Sequence, residues 1–341
     1  MNIRIDTGSI GPMADWLRAK KNGNADKERL LGILELPAYA VELERYSGEL
    51  PVCNLTKEEI VDFFLHFDEK QFENQRLQLK QPEFLKFYGN MDAELQKAEA
   101  LRLLNEEDAA LIMRLLGGAL PDALLKEETD YTVIFTISVG NSQGYPHGNN
   151  IVFDVSNLSA FPSCDHETLA AVIAHEIHHT FFGSLLPEDF SPQALFAINF
   201  AFEGLAMHFC NNASTRFKPK KYSDLPEYGV CGEDFALYDS EADELFADFR
   251  RDLADAAGMS MDEVTALVSK KYEQFEYTGR VDGARRAIQQ YPTYYLGCWL
   301  WGGIDTAFGK ETLLDTLSHP EKFDEVCSLA QKKLGNGRYV L

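Results

Sequence analysis

The chain has 341 residues, with 54 Asp and Glu against 32 Lys and Arg, a formal charge of -22. A composition 45% apolar and 25% charged is that of a globular protein able to bury a core without staples. So acidic a chain excludes a nucleic-acid partner, which needs clustered cations, and no run approaches the roughly 20 apolar residues of a membrane span.

In chain order, residues 1–127 read as a string of amphipathic helices. The clearest signals are the capping-box start Thr56-Lys57-Glu58-Glu59 and the apolar spacing Leu95, Leu101, Leu104, Leu111, Leu115. Gly117-Gly118 and Pro121 close that region. Tyr131 to Val139 and Ile151 to Val155 are β-branched and aromatic, and the Gly/Asn/Pro-rich stretch 140–150 between them suggests an antiparallel pair with a longer loop.

A helix over about 165–183 follows, marked by Leu169, Ile173, Ile177 and Phe181, with Ser163 or Asp165 as N-cap and Gly183 as its stop. A second helix, about 191–211, opens on Ser191-Pro192 and carries Glu203. From Ala213 to Asp234 the chain is polar and turn-rich, and its Arg216, Lys218, Lys220 and Lys221 read as a solvated loop. The remainder is mainly helical, with Tyr291-Pro292-Thr293-Tyr294-Tyr295 leading into Leu296-Gly297-Cys298-Trp299. No linker divides the chain, so 1–127 and a catalytic region 128–341 are expected to form one continuous body. Six cysteines without CxxC spacing read as free thiols in a reducing compartment. Residues 1–20 hold Asp6, Pro12 and Asp15 where a signal peptide has its apolar run. A cytoplasmic protein is expected, or a secreted one if such a peptide has been removed.

The chemistry lies in His175-Glu176-Ile177-His178-His179, an HExxH sequence. On a helix, His175 and His179 share a face and can ligate one ion, while Glu176, about 100° around, reaches the water beside it as general base. Zinc takes a third protein ligand and keeps a position for that water. Phe182 and Leu185 stand where HExxHxxGxxH would place Gly and His, so that class is excluded. Glu203, flanked by Phe202, Gly204, Leu205 and Ala206, is the expected third ligand to a single Zn2+, with Glu241 and Glu244 in reserve. Tyr294 is the candidate oxyanion donor, with Tyr291, Tyr295 and His208 as competitors. His178 reads as a solvated or hydrogen-bonded residue, His147 as a loop residue able to line the cleft, and His208 as facing away from the carboxylate of Glu203.

HExxH followed by Glu in a phenylalanine-rich helix resembles the gluzincin metallopeptidases. HEIHH, FEGLA and a later YxxG are similar to an uncharacterised bacterial family of zinc-dependent peptidases over about residues 130–330. The resemblance implies an α+β, predominantly helical, zincin-like fold with a small antiparallel sheet beside the HExxH helix. It also implies a peptide or protein substrate, His175, His179 and Glu203 as ligands, Glu176 as base, and the strand preceding the helix as the edge that holds an extended peptide. One position departs from the pattern: Met207 stands where thermolysin-like gluzincins place a histidine-orienting Asp. The same ligands would also suit a metallohydrolase acting on another amide or ester, or a zinc-stabilised binding protein without turnover. The sequence leaves oligomeric state open.

Overall fold

The computed structural model describes residues 2–48, 54–101, 106–126, 129–140, 144–160, 165–214, 220–274 and 276–341. In chain order these form β1 (Asn2–Asp6), α1 (Ile10–Lys21), α2 (Lys27–Leu34), α3 (Pro37–Tyr46), α4 (Lys57–His66), α5 (Gln75–Gly89), α6 (Met91–Leu101), α7 (Glu106–Ala119) and α8 (Asp122–Leu125). Then come β2 (Asp130–Thr136), β3 (Gly144–His147), β4 (Asn150–Asp154), α9 (His166–Phe182), α10 (Pro192–Phe209), α11 (Gly232–Ser240), α12 (Ala242–Ala256) and α13 (Met261–Tyr272). β5 (Glu276–Thr278), β6 (Arg285–Ala287), α14 (Pro292–Phe308), α15 (Lys310–Ser318) and α16 (Phe323–Lys333) complete a predominantly helical chain. It divides into two compact units, Met1–Leu111 with Leu125–Thr180, and Ile112–Leu124 with Phe181–Leu341.

The first unit is built on a four-stranded sheet in the order β1-β2-β4-β3. β1, β2 and β4 run parallel, and only β3 is antiparallel. This corrects the expected antiparallel pairing of 131–139 with 151–155. The stretch between them contains β3, which turns back on β4 through Gly148-Asn149, so β2 and β4 become parallel neighbours. β2 is buried on both faces from Val133 onward, as a central strand requires. The helical string expected over the first 127 residues also begins with a strand, β1, whose register Ile3 to Tyr131 makes it the other edge of the sheet.

Helices pack beside the sheet through aromatic rings. Phe63, Phe67 and Phe84 stand 4.8–5.9 Å apart between α4 and α5. α4 has the predicted cap, with Thr56 Oγ1 accepting from Glu59 N while Glu59 accepts from Thr56 N. A buried polar knot joins α5 to the end of β4. The ammonium of Lys80, fully buried, donates to Asp154, to Ser156 Oγ at 2.7 Å and to Asn157 Oδ1 at 3.0 Å. Asp154 Oδ1 also accepts from the backbone N–H groups of Ser138 and Ser156. Beside it, burial first and the charge of Asp154 second push the Glu42 carboxyl up to about 7, although Ser138 Oγ donates to it.

The second unit is centred on two apolar helices, α10 and α14. Phe196 and Phe200 of α10 pack with Phe249 of α12 and Tyr272 of α13 at 4.8–6.0 Å. Trp301 of α14 stacks on Phe323 of α16 and donates its indole N–H to Ala197 O. The β5–β6 hairpin is tied down by Glu241, which accepts from Tyr277 Oη and Arg280 N, both at 2.9 Å.

Candidate metal centre

α9 forms where its apolar periodicity places it. Asp165 accepts from Thr168 N at 2.7 Å, as a capping group does; Ser163 lies outside the described residues. Leu169, Ala170, Ile173, Ala174 and Ile177 are buried. Tyr131 Oη, within 2.8 Å of Thr180 Oγ1, ties the last turn of the helix to β2. That packing fixes the direction of the other face. His175 and His179 lie one turn apart with ring centroids at 4.6 Å and planes at 88°, and His175 and Glu176 are only 7% and 9% exposed.

α10 is set by Ser191, whose Oγ accepts from Ala194 N, and by Pro192 in the first turn. It carries Glu203, half-buried. One ligand atom from each of His175, His179 and Glu203 falls within 4.8 Å of the others, and no other such group of three occurs among the described residues. Two imidazoles and a carboxylate are the donor set of a hydrolytic zinc site. A tetrahedral ion with bonds near 2.1 Å holds its ligand atoms about 3.4 Å apart, a separation inside that 4.8 Å limit. Glu273, after α13, responds to the same charge: burial first, then the negative Glu203, pushes its carboxyl up to about 7.

The ligand-bearing helix is positioned by a backbone-to-backbone crossing. A Cβ on Gly204 would collide with the backbone of Gly297 in α14, and one on Gly297 would collide with Phe200 O. Gly204→Ala is therefore expected to lower the unfolding free energy in urea titrations by about 1–3 kcal/mol, the cost of overpacking. An unchanged midpoint would mean that α10 and α14 do not meet there.

The other nominated residues are sorted by burial. Tyr294 is half-exposed in the first turn of α14, with Tyr291 at 5.9 Å. Tyr295 is fully buried and donates to Asp239 Oδ1 at 2.7 Å. His208 is buried with its Nε2 2.9 Å from Asp305 Oδ2. Burial raises the Asp305 carboxyl, but His208 and Lys221 outweigh it and hold it below the usual range. Lys221 is thus an anchor, its ammonium 3.0 Å from both Asp305 oxygens, rather than a solvated loop charge. Arg216 and Lys218 lie outside the described residues. Glu241 is occupied by the hairpin and is not a reserve ligand. His178, expected to be solvated or hydrogen-bonded, is 1% exposed, and Cys210, Cys298 and Cys327 are buried, with Cys231 half-buried.

Two features beside Glu176 escape a reading of the sequence. β4, the strand preceding the helix, has neighbours on both sides, so the sheet edge nearest the motif is β3. A Cβ on Gly144 of β3 would lie 2.7 Å from the ring of Phe153 and 3.5 Å from Glu176 Oε1. Only the Gly-rich composition of 140–150 hints at this close approach. The opposite face of β3 rests on α3, with the Tyr46 and Tyr145 rings 5.8 Å apart and His147 Nε2 3.3 Å from Glu44.

Compared with known proteins, residues 34–326 match a family model described as "Putative zinc dependent peptidase (DUF5700)". No curated protein and no solved structure matches the chain.

Proposed function

The chain belongs to the DUF5700 family, and from that premise we propose that it is a zinc-dependent peptidase of zincin-like build, with one Zn2+ held by His175, His179 and Glu203. The observation that carries this reading is the convergence of those three side chains from two separate helices. When bound, the ion supplies Lewis-acid polarisation of a carbonyl and a lowered pKa for water.

The chain's own groups do the rest. Glu176 follows a ligand in sequence and is turned about 100° from it, which suits it to take a proton from the attacking water and return it to the leaving amine. Tyr294 is our candidate for the hydroxyl that donates to the oxyanion, since Tyr295 is committed to Asp239. Gly144 lets β3 run close against Phe153 and Glu176, and the outer side of β3 is the edge on which an extended peptide would lie. No helix of the described residues is long and apolar enough to cross a membrane.

The test is metal content by elemental analysis of protein purified without added metal. About one zinc per chain is expected in wild type, with loss on dialysis from His175→Ala and Glu203→Ala. Wild type that keeps no zinc after it is offered would end this reading. Zinc retained without cleavage of any peptide in a randomised decapeptide pool would favour the binding-protein alternative.

A further inference from the structure

The free edge of β3 has a defined hydrogen-bonding pattern, and one group is missing from it. The amide of Thr132 in β2 donates to Asn149 O at 3.0 Å, which turns Asn149 C=O and Ile151 N–H toward β2. In a pleated strand the next residues face the other way, so the amide groups of Asn150 and Val152 point at β3. Their partners there are His147 and Tyr145, an arrangement that also matches the two-residue turn Gly148-Asn149, with φ +57° at Gly148. Gly144 and Pro146 are left with their main-chain groups on the outer side. Among the described residues no strand pairs with that side.

The outer edge therefore presents Gly144 N–H, Gly144 C=O and Pro146 C=O. Proline has no N–H, so the second donor of the ladder does not exist. Gly144 is level with Glu176. Pro146 lies two residues further on, about 7 Å along the strand, and is the last outward-facing residue before the turn.

We propose that Pro146 is a specificity-determining residue that stops the substrate ladder at the level of Gly144, so that the site takes peptides that are short on that side. This rests on the peptidase reading given above. A peptide on this edge pairs fully at Gly144, whichever way it runs. At Pro146 it donates one N–H, and its own carbonyl meets no donor. Residues beyond that carbonyl add chain to be ordered and no hydrogen bond to hold it.

The experiment uses the decapeptide that wild type cleaves best from a randomised pool, fluorescein-labelled and shortened one residue at a time from each end. Its affinity is read by anisotropy on zinc-loaded Glu176→Gln protein, with and without Pro146→Ala. In the parent, affinity should level off once the peptide reaches Pro146. Adding Pro146→Ala should tighten the peptides that extend past that level about 2- to 10-fold, the worth of one ordinary hydrogen bond, and leave shorter ones unchanged. Equal effects at every length would overturn the proposal, because a merely structural proline acts on all peptides alike.

A second measurement needs no change to the strand. Replacing the one unsupported peptide carbonyl by CH2 should cost the parent less than about 2-fold, since no bond is lost; a loss of 5-fold or more overturns the proposal. Wild type that cleaves nothing in the pool defeats the peptidase reading and this inference with it. Cleavage with length-independent effects defeats this inference alone.

Discussion

Glu176→Gln is expected to keep its zinc while hydrolysis of the peptide pool falls by about 10²- to 10⁴-fold, the usual worth of a positioned general base. The amide matches the carboxylate in shape, so the packing of α9 around a side chain 9% exposed is preserved, and neither His175 nor His179 is altered. What disappears is an oxygen able to accept a proton near neutral pH. Zinc content and turnover measured on one preparation separate the two roles. A variant that retained a tenth or more of wild-type activity would remove Glu176 from the mechanism, and one that lost its zinc would make Glu176 a ligand instead.

Lys80→Met is expected to lower the unfolding free energy by about 3–5 kcal/mol, the cost of leaving a buried charge without its partner. The ammonium is fully enclosed and serves Asp154, Ser156 and Asn157 together. Without it Asp154 keeps only dipolar donors, next to Glu42, whose carboxyl is already pushed up by burial. Urea titration reads the loss. The double change Lys80→Met with Asp154→Asn should recover part of it, because no charge is left buried and the amide oxygen can still accept from the Ser138 and Ser156 N–H groups. A single variant within 1 kcal/mol of wild type would mean that water reaches Asp154.

The site was more legible than the sheet, for a physical reason. His175, Glu176 and His179 are bound by the period of one helix, and Ser191-Pro192 announces the next, so spacing alone brings out three of the four residues proposed for the centre. Glu203 took a chemical argument: an acid among apolar neighbours needs a partner. The sheet depends on pairings distant in sequence. The five residues of β1 alternate polar with apolar, Ile3 and Ile5 between Asn2, Arg4 and Asp6, but so short a run becomes a strand only through its register with β2. The unbroken apolar run Val133-Ile134-Phe135 did contain evidence of a central parallel strand, since a strand with one wet face alternates. Four residues of β3, including a proline, fall below what composition can distinguish from a loop. The buried commitments of Lys221 and Glu241 likewise depend on partners more than 30 residues away.

The pairing of Asn2–Asp6 with Asp130–Ile134 also sets an order of events during synthesis. At ribosomal speeds of about 5–20 residues per second, β1 waits on the order of ten seconds for its partner. The helices of residues 10–101 can form in microseconds as they emerge, so the nascent chain holds a helical cluster before any strand of the first sheet can pair. In that interval Ile3 and Ile5 lack the neighbours that β2 gives them.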